Sequence, residues 1–103
     1  MIKVCEQMQQ LRKMLDEKGI PWQDVSDDWS RDDFEMWIVR THFEYKGFRW
    51  SAANGFGVYG GWGGANPNNN ENMGLLELYN FNDEPCGWLT AEEVMERIGA
   101  NED

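Results

Sequence analysis

Met36-Trp37-Ile38-Val39-Arg40-Thr41-His42-Phe43-Glu44-Tyr45-Lys46-Gly47-Phe48-Arg49-Trp50-Ser51-Ala52-Ala53 is the stretch that decides the fold. It is rich in β-branched and aromatic residues and is broken once, at Lys46-Gly47, which predicts a tight hairpin. A turn at those two residues sets Tyr45 against Phe48, Phe43 against Trp50, Thr41 against Ala52 and Val39 against Asn54. One face then carries Trp37, Val39, Phe43, Tyr45, Phe48 and Trp50. The other carries Glu44 opposite Arg49 and His42 opposite Ser51, with Arg40 nearby. A slip of one residue would mix the two faces, so the register specifies itself.

Helices are expected on either side of this hairpin. Val4, Met8, Leu11 and Leu15 recur at helical spacing, with Met1, Cys5 and Met14 widening the stripe, while Gln7, Gln9, Gln10, Arg12, Lys13 and Glu17 fall mostly outside. Gly19, Ile20 and Pro21 end that helix near Lys18. At the other end, Thr90 and Glu93 fit a capping box, Leu89 can staple onto Val94, and Ala91, Val94, Met95 and Ile98 form the buried face. Between hairpin and final helix, Gly74 to Phe81 reads as a third strand. Residues 21–33, with five aspartates and no sustained period, read as a solvated loop without the ligand spacing of a calcium site. The fold expected is α+β: one domain over residues 1–103, a two-layer arrangement with an antiparallel sheet of three or four strands and both terminal helices on its apolar face.

A chain of 103 residues supports one core and excludes a multidomain enzyme. Its formal charge is -10, which argues against direct binding of nucleic acid. The charge is uneven: residues 1–49 carry 8 basic and 10 acidic groups, and residues 50–103 carry 1 and 9. No apolar run approaches a membrane span, and the amino terminus meets Glu6 before a signal segment could form, so a soluble cytoplasmic protein is expected. In that reducing setting Cys5 and Cys86 are read as free thiols, and they form no metal-binding pattern. No cofactor and no metal are expected.

Residues 55–73 form a Gly- and Asn-rich loop holding seven of the eleven glycines if Gly74 is counted with it. Gly55 to Gly60 satisfies G-x-G-x-x-G, but a Gly, Asn and Pro run follows where a dinucleotide site needs a helix. From Trp50 to Glu96 there is no Lys or Arg to meet a phosphate. Two readings of the loop stay open: a long connection between strands, or an aromatic surface for a partner or flat ligand. In the second reading Phe56, Tyr59, Trp62 and Trp88, with the acids Glu71 and Glu77, are the candidate contacts.

The order Gly19-Ile20-Pro21-Trp22, the Tyr45-Lys46-Gly47 turn followed by Trp50, the Gly-rich middle, and Gly87-Trp88-Leu89-Thr90-Ala91-Glu92-Glu93-Val94 loosely resembles small uncharacterised acidic proteins of phages and mobile elements of Gram-positive bacteria. That resemblance implies an interaction protein acting on a host or element component, and it implies no catalytic residue. Three functions fit the sequence. The first is a non-enzymatic module that presents its acidic surface and aromatic loop to a protein partner, such as a basic nucleic-acid-binding protein. The second is a carbohydrate or small-ligand binder that stacks its substrate on Tyr59, Trp62 and Trp88. The third is a small enzyme using His42 or Cys86, with Ser51 another candidate nucleophile. A homodimer through unburied aromatic surface is also left open.

Overall fold

A computed structural model describes residues 2–63, 71–81 and 84–100. Among them the chain is α+β, running α1 (Glu6–Glu17), β1 (Trp22–Asp24), β2 (Asp27–Asp28), β3 (Trp37–Tyr45), β4 (Phe48–Gly55), β5 (Leu76–Tyr79), β6 (Cys86–Leu89) and α2 (Ala91–Arg97). The sheet is antiparallel throughout, in the order β1-β3-β4-β5-β6, with β2 pairing β3 beyond β1.

The central hairpin has the register that its alternation dictates, with Tyr45 opposite Phe48, Phe43 opposite Trp50, His42 opposite Ser51 and Val39 opposite Asn54. Its turn residues, Lys46 and Gly47, both take positive φ, at 51° and 81°. That twist matches the flanking strands, as in a primed hairpin turn. Alternation buries Trp37, Val39, Thr41 and Phe43 on one side and leaves Ile38, Arg40 and His42 half-exposed on the other. Phe48, expected on the apolar face, is 49% exposed because the hairpin tip runs past the core.

The sheet has more strands than the three or four expected from sequence. β1 and β2 arise from the Asp-rich segment that reads as a loop, and β6 from the run leading into the last helix. Both lie at the margins of the sheet, where one side of a strand faces solvent and aspartates cost little. Val25 and Ser26 interrupt this edge, so no strand-length period survives to be read.

Both helices lie against the same face. Met8, Leu11 and Leu15 of α1 and Ala91, Val94 and Met95 of α2 join Val39, Phe43, Ala52, Leu76, Leu78 and Leu89 in one core. Each helix ends in a Schellman motif. Ile20 N–H donates to Leu15 O at 2.8 Å and Gly19 N–H to Asp16 O at 3.0 Å, while Ala100 N–H donates to Met95 O at 2.9 Å and Gly99 N–H to Glu96 O at 3.1 Å. The capping box of α2 is complete, with Thr90 Oγ1 accepting from Glu93 N–H and Glu93 Oε1 from Thr90 N–H. α1 lacks a side-chain cap at Cys5 and is tied to its partner instead: Gln7 Oε1 accepts from Ala91 N–H at 2.8 Å.

Arg12 departs from the outward position that its helix face implies. Its Nε donates to Thr41 Oγ1 at 2.8 Å, Nη2 lies 3.4 Å from Asp24 Oδ1, and the guanidinium sits 4.7 Å from the centre of the Trp22 ring. It pins α1 to the β1 edge. Cys5 and Cys86 are free thiols, and burial raises the Cys5 pKa, which keeps that thiol protonated at neutral pH. Among the described residues, no helix is long and apolar enough to cross a membrane.

Candidate functional site

No helix covers the second face of the sheet, but Val58, Phe81 and Pro85 stand around its centre, where Ser51 and Ala53 are buried, and the pairing registers lay the face out in rows. Arg40 on β3, Ala53 on β4 and Glu77 on β5 form one row; His42, Ser51 and Tyr79 form the next. Val25 extends the first row beyond β3, donating its N–H to Arg40 O at 2.9 Å. The small residues of β4 thus form a floor, with basic groups along the β3 side and Glu77 and Tyr79 along the β5 side. A concavity of about 450 Å³ lies over that floor, and a second, of about 710 Å³, opens toward Trp22 and Arg49. His42 and Phe81 line both.

Two bulky residues on this side hold a backbone conformation that side chains normally avoid. Phe81 has φ 68° and Trp88 φ 57°, and they are 46% and 48% exposed. A left-handed conformation costs a residue with a Cβ about 1–2 kcal/mol. Exposed aromatics held this way gain little burial in return. The Phe81 ring stands edge-on to His42 at 6.0 Å and to Tyr79 at 4.8 Å.

Trp88 stacks on Tyr59 with ring centres 5.1 Å apart and planes tilted by 33°. Three interactions fix the pair. Tyr59 N–H donates to Glu77 Oε2 at 2.7 Å, Trp88 N–H donates to Tyr59 O at 3.3 Å, and Gly87 passes so close beneath Tyr59 that a methyl group there would overlap the Tyr59 Cβ. The loop thereby lies over Gly87 and Trp88 of β6.

The sequence candidates therefore divide. Tyr59, Trp88 and Glu77 come together on the open side. Phe56 and Trp62 form a separate cluster, since the loop doubles back at Gly61, where a side chain would strike Gly55 O. Trp62 packs 4.7 Å from Trp37 and against the core, and Phe56 lies between Trp62 and Phe34. Glu71 is exposed, just before Asn72. The Asn and Pro run of the expected loop, residues 64–70, and the turn residues 82–83 lie outside the described residues. No helix follows Gly60 in the described part of the loop, so the G-x-G-x-x-G match lacks the helix start that a pyrophosphate needs.

The charge of the second half also falls on two sides. Glu77 belongs to the open face, whereas Glu92 and Glu96 lie on the exposed side of α2 and Glu93 serves the capping box. On the open face Arg40 pairs with Asp27 at 2.6 Å, and exposed Arg49 lies 3.6 Å from Glu44. Partial burial, and then the charges of Arg40 and Arg49, lower the His42 pKa from its ordinary 6.5, so the imidazole is neutral at pH 7. His42 packs edge-on against the Phe81 ring. Cys86 faces the helix side, against Trp50, Leu78 and Arg97, so the sheet separates it from His42. Phe81, Tyr79 and the strained φ of Trp88 were missed in the sequence; an exposed aromatic after a short strand is the one available signal. No family model matches the chain, and neither a curated protein nor a solved structure matches it.

Proposed function

We propose that this chain is a non-enzymatic protein-interaction module of the cytoplasm whose docking surface is the open sheet face, with the Tyr59–Trp88 pair and Glu77 at its centre of recognition. The observation that carries this reading is Trp88 itself: half-exposed, held at φ 57° and fixed against Tyr59 by a hydrogen bond to the backbone. Rigid Trp and Tyr side chains supply large contact area at low entropic cost and dominate binding energies at interfaces. Glu77, which accepts from Tyr59 N–H, suits an arginine or lysine of the partner through ion pairing, with cation–π contact from the two rings. A basic nucleic-acid-binding protein is the partner class that this chemistry and the net charge favour. The resemblance to phage and mobile-element proteins supports the same setting.

The test is affinity capture from a bacterial lysate on the intact chain and on Trp88→Ala, at low and high salt. A discrete basic protein retained at low salt, released at high salt and absent from the variant supports the proposal. Equal capture by both chains, or none by either, removes it. Binding of a glycan panel by the intact chain, lost in the same variant, would favour the carbohydrate reading instead.

A further inference from the structure

The concavity of about 450 Å³ over β4 has the size of a pocket for a single extended group. Ser51 and Ala53, 8% and 7% exposed, form its floor, and Val58, Phe81 and Pro85 stand around it, so a flat surface cannot reach the floor whereas a slender side chain can. Charge decides which kind of side chain. Arg40, His42 and Glu77 line the concavity. Arg40 is matched by Asp27, 2.6 Å away. Partial burial and the charges of Arg40 and Arg49 keep His42 neutral at pH 7. Glu77 accepts from Tyr59 N–H, a neutral donor, and no ion pair offsets it among the described residues. The concavity is therefore negative. Its rings favour the same kind of guest: Phe81 stands edge-on to Tyr79 and to His42, with planes inclined by 63° and 83°, and an aromatic face attracts a cation.

We propose that this concavity receives one arginine side chain of the basic partner, its guanidinium meeting Glu77 and the Tyr79 and Phe81 rings and its methylene stem lying over Ala53 beside Val58 and Pro85. The inference rests on the reading of this face as the docking surface for a basic protein, and it names the residue that the surface selects. Glu77 stands directly across from Ala53 on the neighbouring strand, so a group on the floor lies about one strand spacing, roughly 4.8 Å, from the β5 backbone that bears the carboxylate. Arginine suits the site better than lysine. A guanidinium is planar and weakly hydrated, stacks on rings and offers a carboxylate two parallel N–H groups, whereas an ammonium holds its water. The apolar walls match the stem, which is buried in either case.

Titration of the full chain with acetyl-arginine amide, followed by proton–nitrogen NMR, tests this, with acetyl-citrulline amide as the uncharged isostere. The arginine derivative is expected to shift the backbone amides of Ala53, Glu77 and Phe81 saturably, and the citrulline derivative to bind at least about tenfold more weakly. Two variants leave the backbone at ease. Glu77→Gln still accepts from Tyr59 N–H, and Phe81→Gly takes φ 68° without strain. Each is expected to weaken the arginine derivative at least about fivefold, and Ala53→Leu, which fills the floor, to abolish its binding. Circular dichroism verifies folding of each chain. No saturable shift, equal binding of the two derivatives, shifts that map away from the concavity, or folded Glu77→Gln and Phe81→Gly chains that bind as well as the intact chain would each overturn the proposal. The same titration with an arginine-rich peptide separates the two readings. A peptide bound equally by the intact chain and by folded Ala53→Leu, but not by Trp88→Ala, keeps the basic partner and removes the pocket. An arginine derivative seated in the concavity of a chain that binds no basic peptide does the reverse.

Discussion

Asn54 and Asn72 exchange two hydrogen bonds through their side-chain amides. Asn54 Nδ2 donates to Asn72 Oδ1 at 2.9 Å, and Asn72 Nδ2 returns to Asn54 Oδ1 at 2.7 Å. Asn54 is fully buried, on the core face at the end of β4, and it also donates to Leu75 O at 2.8 Å. Asn72 Oδ1 accepts in addition from Gly74 N–H at 2.8 Å. The pair closes the ends of the Gly-rich excursion and sets the approach of β5 to β4, and so places Glu77 in the same row as Arg40.

Removing either amide takes away both shared bonds and leaves the other with one remaining partner, Leu75 O for Asn54 and Gly74 N–H for Asn72, at a cost of about 1–3 kcal/mol. Asn72→Ala and Asn54→Ala are each expected to lower the urea midpoint accordingly. The double variant should cost less than the sum of the two, because the shared bonds are lost only once. Additive losses in chemical denaturation would show that the two amides act independently.

Arg12 provides a second test of packing. Arg12→Ala breaks the bond to Thr41 Oγ1, the contact over Trp22 and the pairing with Asp24, and it strips apolar stem area from the β1 edge. A loss of about 1–3 kcal/mol is expected. Arg12→Lys should recover only part of it, because an ammonium cannot lie flat on the indole while donating sideways to Thr41. Thermal melts of the three chains give the comparison.

Much of this arrangement was legible in the chain, and the reasons differ by element. The hairpin could be read to the residue because alternation and a Lys46-Gly47 turn fix register locally. The helix ends could be read because Gly19, Gly99 and the Thr90–Glu93 box are local devices. β1 and β2 could not, since two or three residues at an edge carry no period and their aspartates are tolerated by solvent. Arg12 could not, because its partner Thr41 lies 29 positions away. The division of the loop aromatics was hidden for the same reason. Whether Tyr59 meets Trp88 or Trp62 depends on how the loop doubles back at Gly61, which no spacing encodes.

His42 sets a pH dependence. Its folded pKa lies below the unfolded 6.5, so the unfolded chain binds the extra proton first and stability falls as pH drops through 6.5 and below. Replacing His42 by Gln should flatten the midpoint-against-pH curve in that window and leave it unchanged above neutrality. Asp28, whose pKa is lowered by hydrogen bonds from Ser30, adds an acid loss only as pH falls through and below its ordinary 3.8. A curve for His42→Gln that still declines between neutrality and pH 5, as the intact chain does, would place the titrating group elsewhere.

Trp88→Gly separates stability from recognition. Glycine accepts φ 57° freely and recovers about 1 kcal/mol of backbone strain, which offsets the lost stacking on Tyr59. Stability is therefore expected to change by less than about 1 kcal/mol while binding is lost. A destabilisation of several kcal/mol would mean that Trp88 serves the fold.

Docking of a basic partner on Trp88 is tested by a fluorescence-anisotropy titration of a labelled arginine-rich peptide with the intact chain and with Trp88→Gly, at low and high salt. Saturable binding by the intact chain that weakens with salt and falls at least about tenfold in the variant is the predicted result. Equal affinity of the two chains, or a glutamate-rich control peptide bound as tightly as the basic one, would contradict it.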